Sequence, residues 1–162
     1  MEKVVIAAGS NLGNRLNYLQ LAGKFLFGFS EGVVRKSSIW ESEPVGGAGY
    51  TFLNSAVLIE TTRKPGTLLK DLKDFEQECG REKDPRRWSP RVLDLDIIGF
   101  GDLVIDRETL IIPHPEYHRR LFVLCPMIEI VPGWKDPQTH KGLREMIGEA
   151  PEIEIKKTDL SW

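Results

Sequence analysis

The chain is missing the marks of several protein classes. Its two cysteines, Cys79 and Cys125, are too few to staple a small secreted scaffold. No apolar run reaches the length of a membrane span or a signal-peptide core; Val4 to Ala8, near the N-terminus, has only the length of a strand. There is no excess of either charge: 22 Lys and Arg stand against 24 Asp and Glu, a net charge of −2. That balance argues against holding nucleic acid or an anionic membrane by bulk charge. Repeats, low-complexity tracts and linkers are absent, and so are the P-loop and the serine nucleophile elbow. Gly9-Ser10-Asn11-Leu12-Gly13-Asn14 lacks the third glycine of a dinucleotide fingerprint and reads as a strand-to-helix turn with a cap. His114 and His118 are four apart, but Pro115 intervenes and no thiolate or glutamate base accompanies them, which disfavours zinc. The expectation is a soluble, cytoplasmic protein with one domain over residues 1–162, its 41% hydrophobic content enough for a real core.

What is present has a clear order. Val4 to Ala8 predicts a buried strand, and Leu12, Leu16, Leu19, Ala22 and Leu26 recur at helical spacing behind it. Val33 to Trp40 and Phe52 to Thr62 read as strands. Pro65 opens a helix whose Leu68, Leu72, Phe75 and Cys79 share a face, with Gly80 as its stop. Val92 to Phe100 alternates as a strand, and Gly101-Asp102 turns into Leu103-Val104-Ile105. A third helix is expected over Tyr117 to Leu124, a short one near Leu143 to Ile147, and a last strand at Ile153 to Lys157. Strand–helix–strand–strand–helix–strand is the ferredoxin-like βαββαβ pattern: an α+β fold, an antiparallel sheet with helices on one face, here with a C-terminal elaboration.

Leu93-Asp94-Leu95-Asp96-Ile97 carries the most chemistry. On a strand Asp94 and Asp96 point the same way, about 6–7 Å apart at Cα, while Leu93, Leu95 and Ile97 turn toward the core. Two such carboxylates repel unless a cation lies between them, and hard oxygen donors suit Mg²⁺ completed by water and phosphate. The preceding stretch holds Arg81, Lys83, Arg86, Arg87 and Arg91 against only Glu82 and Asp84. A basic segment leading into paired aspartates is what a metal–polyphosphate complex requires. With two prolines and this charge, 81–91 is expected to form a mobile loop.

Four blocks then carry a resemblance: Gly9-Ser10-Asn11-Leu12-Gly13, Phe52-Leu53-Asn54, Arg87-Trp88-Ser89-Pro90-Arg91-Val92-Leu93-Asp94-Leu95-Asp96-Ile97, and Pro113-His114-Pro115 followed by Arg120-Leu121-Phe122-Val123-Leu124. Together, from about residue 4 to about residue 132, they resemble the 6-hydroxymethyl-7,8-dihydropterin pyrophosphokinases of folate biosynthesis. The resemblance implies transfer of pyrophosphate from MgATP to the pterin's 6-hydroxymethyl group, with AMP released. It implies that Asp94 and Asp96 hold two Mg²⁺ ions, that Asn54 hydrogen-bonds the pterin, and that Phe52 and Phe122 sandwich the ring. Ser42 and Val45 fall at further pterin contacts, and Asp94 also lies at the pterin. Arg81 and Arg91 match catalytic arginines on phosphate, with Trp88 as an indole closing over both substrates. Glu76, Lys83, His114 and Arg120 fall at ATP contacts, and Ile97 at a main-chain contact to adenine. Trp40, Ser42 and Ser89 stand where Tyr, Thr and Gly are usual, and Lys83 replaces an Arg, giving up bidentate geometry.

Two other readings compete. A nucleotidyltransferase could use an Asp-x-Asp strand on a similar sheet. A ferredoxin-like RNA-binding module would want surface aromatics and a basic sheet face, and the face bearing Asp94 and Asp96 would repel RNA. The expectation is therefore a small-molecule enzyme using ATP and the pterin, monomeric, with no nucleic-acid or membrane partner.

Overall fold

Strand β1 (Glu2–Ser10) runs through the middle of an antiparallel sheet, and each of its faces is apolar for a reason. Val4, Ile6 and Ala8 enter one core while Val5 and Ala7 enter a second, so both faces of the strand must be covered. The computed structural model describes residues 1–44, 50–80 and 92–162. Around β1 the other strands are β2 (Arg35–Lys36), β3 (Trp40–Ser42), β4 (Phe52–Thr61), β5 (Asp94–Phe100) and, near the C-terminus, β8 (Ile155–Lys157). They lie in the order β5-β1-β4-β3-β8, with β2 also on β4 and every pairing antiparallel. A separate hairpin joins β6 (Ile105–Arg107) to β7 (Leu110–Ile112).

Helix α1 (Arg15–Phe29) begins where Asn14 caps it, the Asn14 Oδ1 accepting the Asn17 N–H at 3.1 Å. It buries Leu19, Ala22 and Leu26; Leu12 precedes the helix and is exposed. Helix α2 (Pro65–Glu78) starts with its proline in the first turn, buries Leu68 and Leu72, and is followed by Gly80 at φ +100°, as its sequence requires. Phe25 stacks on Phe75 at 4.1 Å between centroids, locking the two helices over the first core.

The expectation of helices on one face holds for α1 and α2 and needs correcting for the rest. Helix α3 (Leu121–Ile130) and α4 (Leu143–Glu149) cover the opposite face, packing Leu124, Met127, Leu143 and Met146 on Val5, Ala56 and Leu58. A 3-10 turn at Tyr117–Arg119 leads into α3, which runs six residues beyond the expected end at Leu124 and carries Pro126 inside it. A proline there forfeits one helical hydrogen bond, but burial of Val123, Leu124, Met127 and Ile130 outweighs it. Glu129 of α3 ties this layer to the sheet: it accepts the Trp40 Nε1–H at 2.6 Å and the Ser38 hydroxyl at 2.8 Å. No helix among the described residues is long and apolar enough to cross a membrane.

Candidate active site

A single row of residues crosses the sheet at its end. Asp94 of β5 pairs with Gly9 of β1, Gly9 with Asn54 of β4, and Asn54 with Trp40 of β3. Residues directly opposite one another share a face, so Asp94, Gly9 and Asn54 project to the same side, the side that α3 covers further along. Two strand spacings separate Asp94 from Asn54, about 10 Å, and the residue between them has no side chain. One step along, Asp96 pairs with Ala7 and Ala7 with Ala56, another row of small residues.

At one end of this floor Asn54 is buried. Its Nδ2 donates to the Ser42 Oγ at 2.8 Å and to the Trp40 carbonyl at 3.4 Å, which turns Oδ1 toward Gly9. Phe52 lies beside it, its ring 3.7 Å from where a Gly9 Cβ would stand. Phe122, in the first turn of α3, packs partly on the second core, and the Arg120 guanidinium sits 5.7 Å from its ring centroid.

At the other end are the carboxylates. Leu93, Leu95 and Ile97 enter the first core and leave Asp94 and Asp96 on the opposite face, as the alternation predicts. The Asp96 carboxyl is pushed up to about 6, first by burial and then by the charge of Asp94, with Lys73 and Arg120 pulling it down. Because β5 is an edge strand, the Leu95 amide and carbonyl face outward. Glu76 Oε1 accepts that N–H at 2.6 Å and Lys73 Nζ donates to that carbonyl at 3.0 Å. Alternation turns the Ile97 amide and carbonyl to the same edge. His114 is fixed by donating its backbone N–H to the Ile98 carbonyl at 2.9 Å. Its Nδ1 accepts the Glu116 N–H at 3.1 Å, so the neutral ring carries its proton on Nε2. Burial, reinforced by Arg120, drives this imidazole down to about 4, so it is neutral at physiological pH.

Of the residues expected from the sequence, Asp94, Asp96, Glu76, His114 and Arg120 are thus gathered at one end, and Ser42, Phe52, Asn54 and Phe122 are described. Val45, Arg81, Lys83, Trp88 and Arg91 lie outside the described residues. Glu76 is fully buried, with Oε1 on the β5 backbone and on Lys73. Sequence reasoning missed Gly9 and Lys73. The signal for Lys73 was its place three residues before Glu76, on one helix face.

The donor set fits a magnesium ion. It offers hard carboxylate oxygens from Asp94 and Asp96 on one strand face. Among the described residues no group of three or more His, Cys, Asp or Glu is arranged to hold an ion, so two carboxylates would leave the remaining positions to water and phosphate.

The two shifted groups make opposite demands on stability. Between about pH 4 and 6 folded Asp96 keeps a proton that the unfolded chain, at its ordinary 3.8, has released, so this contribution falls as pH rises. His114 is neutral when folded while the unfolded imidazole protonates below 6.5, so its contribution is lost as pH falls toward 4. The difference in urea midpoint between wild type and Asp96→Asn should therefore move against wild type as pH is raised from about 4 to 6. A difference that ignores pH would contradict the raised carboxyl.

The class defined here is an α+β protein with paired carboxylates and a buried amide at opposite ends of a side-chain-free floor. The chain belongs to the 7,8-dihydro-6-hydroxymethylpterin-pyrophosphokinase (HPPK) family, whose sequence model matches residues 5–132. It is 46% identical over 127 residues to a Bacillus subtilis 2-amino-4-hydroxy-6-hydroxymethyldihydropteridine pyrophosphokinase, covering 77% of this chain and 75% of that protein. It is 43% identical over 141 residues to an Arabidopsis thaliana folate synthesis bifunctional protein, covering 86% of this chain but only 29% of that longer one. A crystal structure of wild-type Plasmodium falciparum HPPK-DHPS superposes with a TM-score of 0.70 at 14% identity, over 91% of this chain and 44% of that one, which shows likeness of fold.

Proposed function

We propose that the protein transfers the β,γ-diphosphate of ATP to the 6-hydroxymethyl group of 6-hydroxymethyl-7,8-dihydropterin, a step of folate biosynthesis. The observation that carries the reading is the row Asp94–Gly9–Asn54, which puts an amide for a flat polar ring and a carboxylate for a metal–phosphate on one face. The hydroxymethyl oxygen forms a bond to the β-phosphorus as the bond from that phosphorus to the α,β-bridging oxygen breaks. AMP leaves with those electrons, and the hydroxyl proton is released. Little covalent work falls to the protein; its part is to place, to neutralise and to exclude water.

Asn54 presents Oδ1 to the N–H edge of the pterin, its Nδ2 being held by Ser42. Phe52 and Phe122 take the ring faces, with Val45 beside them. Asp94 and Asp96 would hold Mg²⁺, two ions in all. The metal supplies charge neutralisation and a template for the phosphate oxygens. Arg120 and the Nε2–H of His114 face the nucleotide phosphates, and the outward Ile97 main chain is open to adenine. Glu76 acts on the nucleotide by fixing the β5 edge. Arg81, Lys83 and Arg91 add phosphate-binding charge, and Trp88 closes over both substrates.

The order β5-β1-β4-β3, with α1 and α2 together on one face, supports a ferredoxin-like reading of the core. We read residues 1–162 as one pyrophosphokinase domain acting as a cytoplasmic monomer; the free thiols Cys79 and Cys125 suit a reducing compartment.

Incubation with ATP, Mg²⁺ and the hydroxymethyl pterin should yield AMP and the pterin diphosphate. Release of pyrophosphate instead would turn the assignment to nucleotidyl transfer. In the same preparation Asn54→Ala and Phe122→Ala should each weaken pterin binding by about 1–3 kcal/mol while sparing nucleotide affinity. Equal losses for both ligands would place the pterin elsewhere.

A further inference from the structure

The carboxylate pair has a cation of its own. Lys73 Nζ donates to the Leu95 carbonyl at 3.0 Å, pairs with Glu76 Oε1 at 3.0 Å and stands 3.7 Å from Asp96 Oδ1. Leu95 is the residue between the two aspartates, so the ammonium is anchored to the backbone that carries them. Its stem rises from α2, on the other side of the β5 edge from α3. Among the described residues, the charges acting on Asp96 are those of Asp94, Glu76, Lys73 and Arg120, three carboxylates including its own against two cations.

We infer that Lys73 is a built-in counter-charge that holds down the affinity of Asp94 and Asp96 for a bare divalent cation, so that the metal enters as its complex with the nucleotide polyphosphate. The inference rests on those aspartates being the metal-holding pair. A free dication approaching Asp96 meets the Lys73 ammonium as a like charge. A magnesium–nucleotide complex is a net anion, and the same ammonium attracts it. One residue thereby opposes the unproductive binary complex and favours the productive one, which an uncharged donor at this place could not do. Lys73 is a positioning residue in this account: it acts through Asp96 and Leu95.

The test uses Mn²⁺ as the probe on nucleotide-free protein, with free ion counted by electron paramagnetic resonance and affinity for the magnesium complex of ATP measured by calorimetry. Lys73→Gln keeps an N–H donor for the Leu95 carbonyl and removes the charge; Lys73→Arg keeps the charge. The glutamine variant should bind bare Mn²⁺ about tenfold more tightly, from one like charge relieved at close range, and bind the magnesium–nucleotide complex more weakly. The arginine variant should stay near wild type on both counts. A merely structural lysine gives the opposite sign, because loosening β5 spreads the carboxylates and weakens the metal. Bare Mn²⁺ bound no more tightly by the glutamine variant overturns the inference. Asp96→Asn separates the two possible failures: if it leaves Mn²⁺ binding unchanged, the carboxylate pair itself is misassigned, whatever Lys73 does.

Discussion

Replacing Asp94 or Asp96 by Asn should lower turnover by about three orders of magnitude or more, the equivalent of ~4 kcal/mol of lost transition-state stabilisation. Asparagine keeps the shape of the side chain and loses the charge that attracts the ion, so the phosphates lose the neutralising partner on which in-line transfer depends. The fold should not suffer. Burial and Asp94 both work against the ionised Asp96 carboxyl, so at pH 7 removing its charge relieves the sheet end rather than strains it. Activity and stability are thus expected to move in opposite directions in Asp96→Asn, a pattern that a loss through misfolding cannot produce. AMP release under saturating substrates, set against a urea titration of the same sample, reads both. Near-normal magnesium-dependent turnover in either variant would remove that carboxylate from the mechanism.

That pair could be read in the sequence because its information is local. Leu93, Leu95 and Ile97 alternate with the aspartates, and a period of two needs no knowledge of the neighbours to assign the faces. The Pro65 start and Gly80 stop of α2 were legible for the same reason. Other features depend on what lies across the fold. Lys73 and Glu76 look like an ordinary solvated pair until β5 proves to be an edge strand with an amide and a carbonyl to satisfy. The run Leu121–Ile130 is apolar apart from Glu129, so no clear period marks its inner face, and the expected end at Leu124 falls short of the buried helix. Nothing local said that α3 and α4 would take the second face of the sheet. That follows from Val5, Ala56 and Leu58 being apolar where a half-exposed sheet would be polar.

Gly9 is the instructive omission, and it yields the second large effect. Its place before Ser10-Asn11 reads as a turn, yet β1 continues through it to Ser10, and its φ is not in the left-handed region. The backbone therefore does not require glycine there. The space above it does not require glycine for packing either, since an added Cβ would meet Asn54 Oδ1 at 3.6 Å, the Phe52 ring at 3.7 Å and the Leu53 carbonyl at 3.9 Å, all ordinary contacts. What remains is the ligand: a side chain at this point would fill the floor between Asn54 and Asp94 where the pterin is to lie. Gly9→Ala, whose single Cβ these contacts admit, should consequently fold at least as well as wild type, with a gain of up to about 0.5–1 kcal/mol from replacing a strand glycine. Gly9→Val fills more of the floor. Its pterin affinity should fall about a hundredfold, the cost of overlap at a filled surface being ~3 kcal/mol. Gly9→Ala should fall between the two, because its single methyl reaches less far over the floor. Calorimetric titration with the pterin, paired with urea unfolding, reads the two opposed signs on one sample. If Gly9→Val bound the pterin as wild type does, the ring would not lie across β1 between the amide and the carboxylate, and the row Asp94–Gly9–Asn54 would have to be given up as the floor of the site.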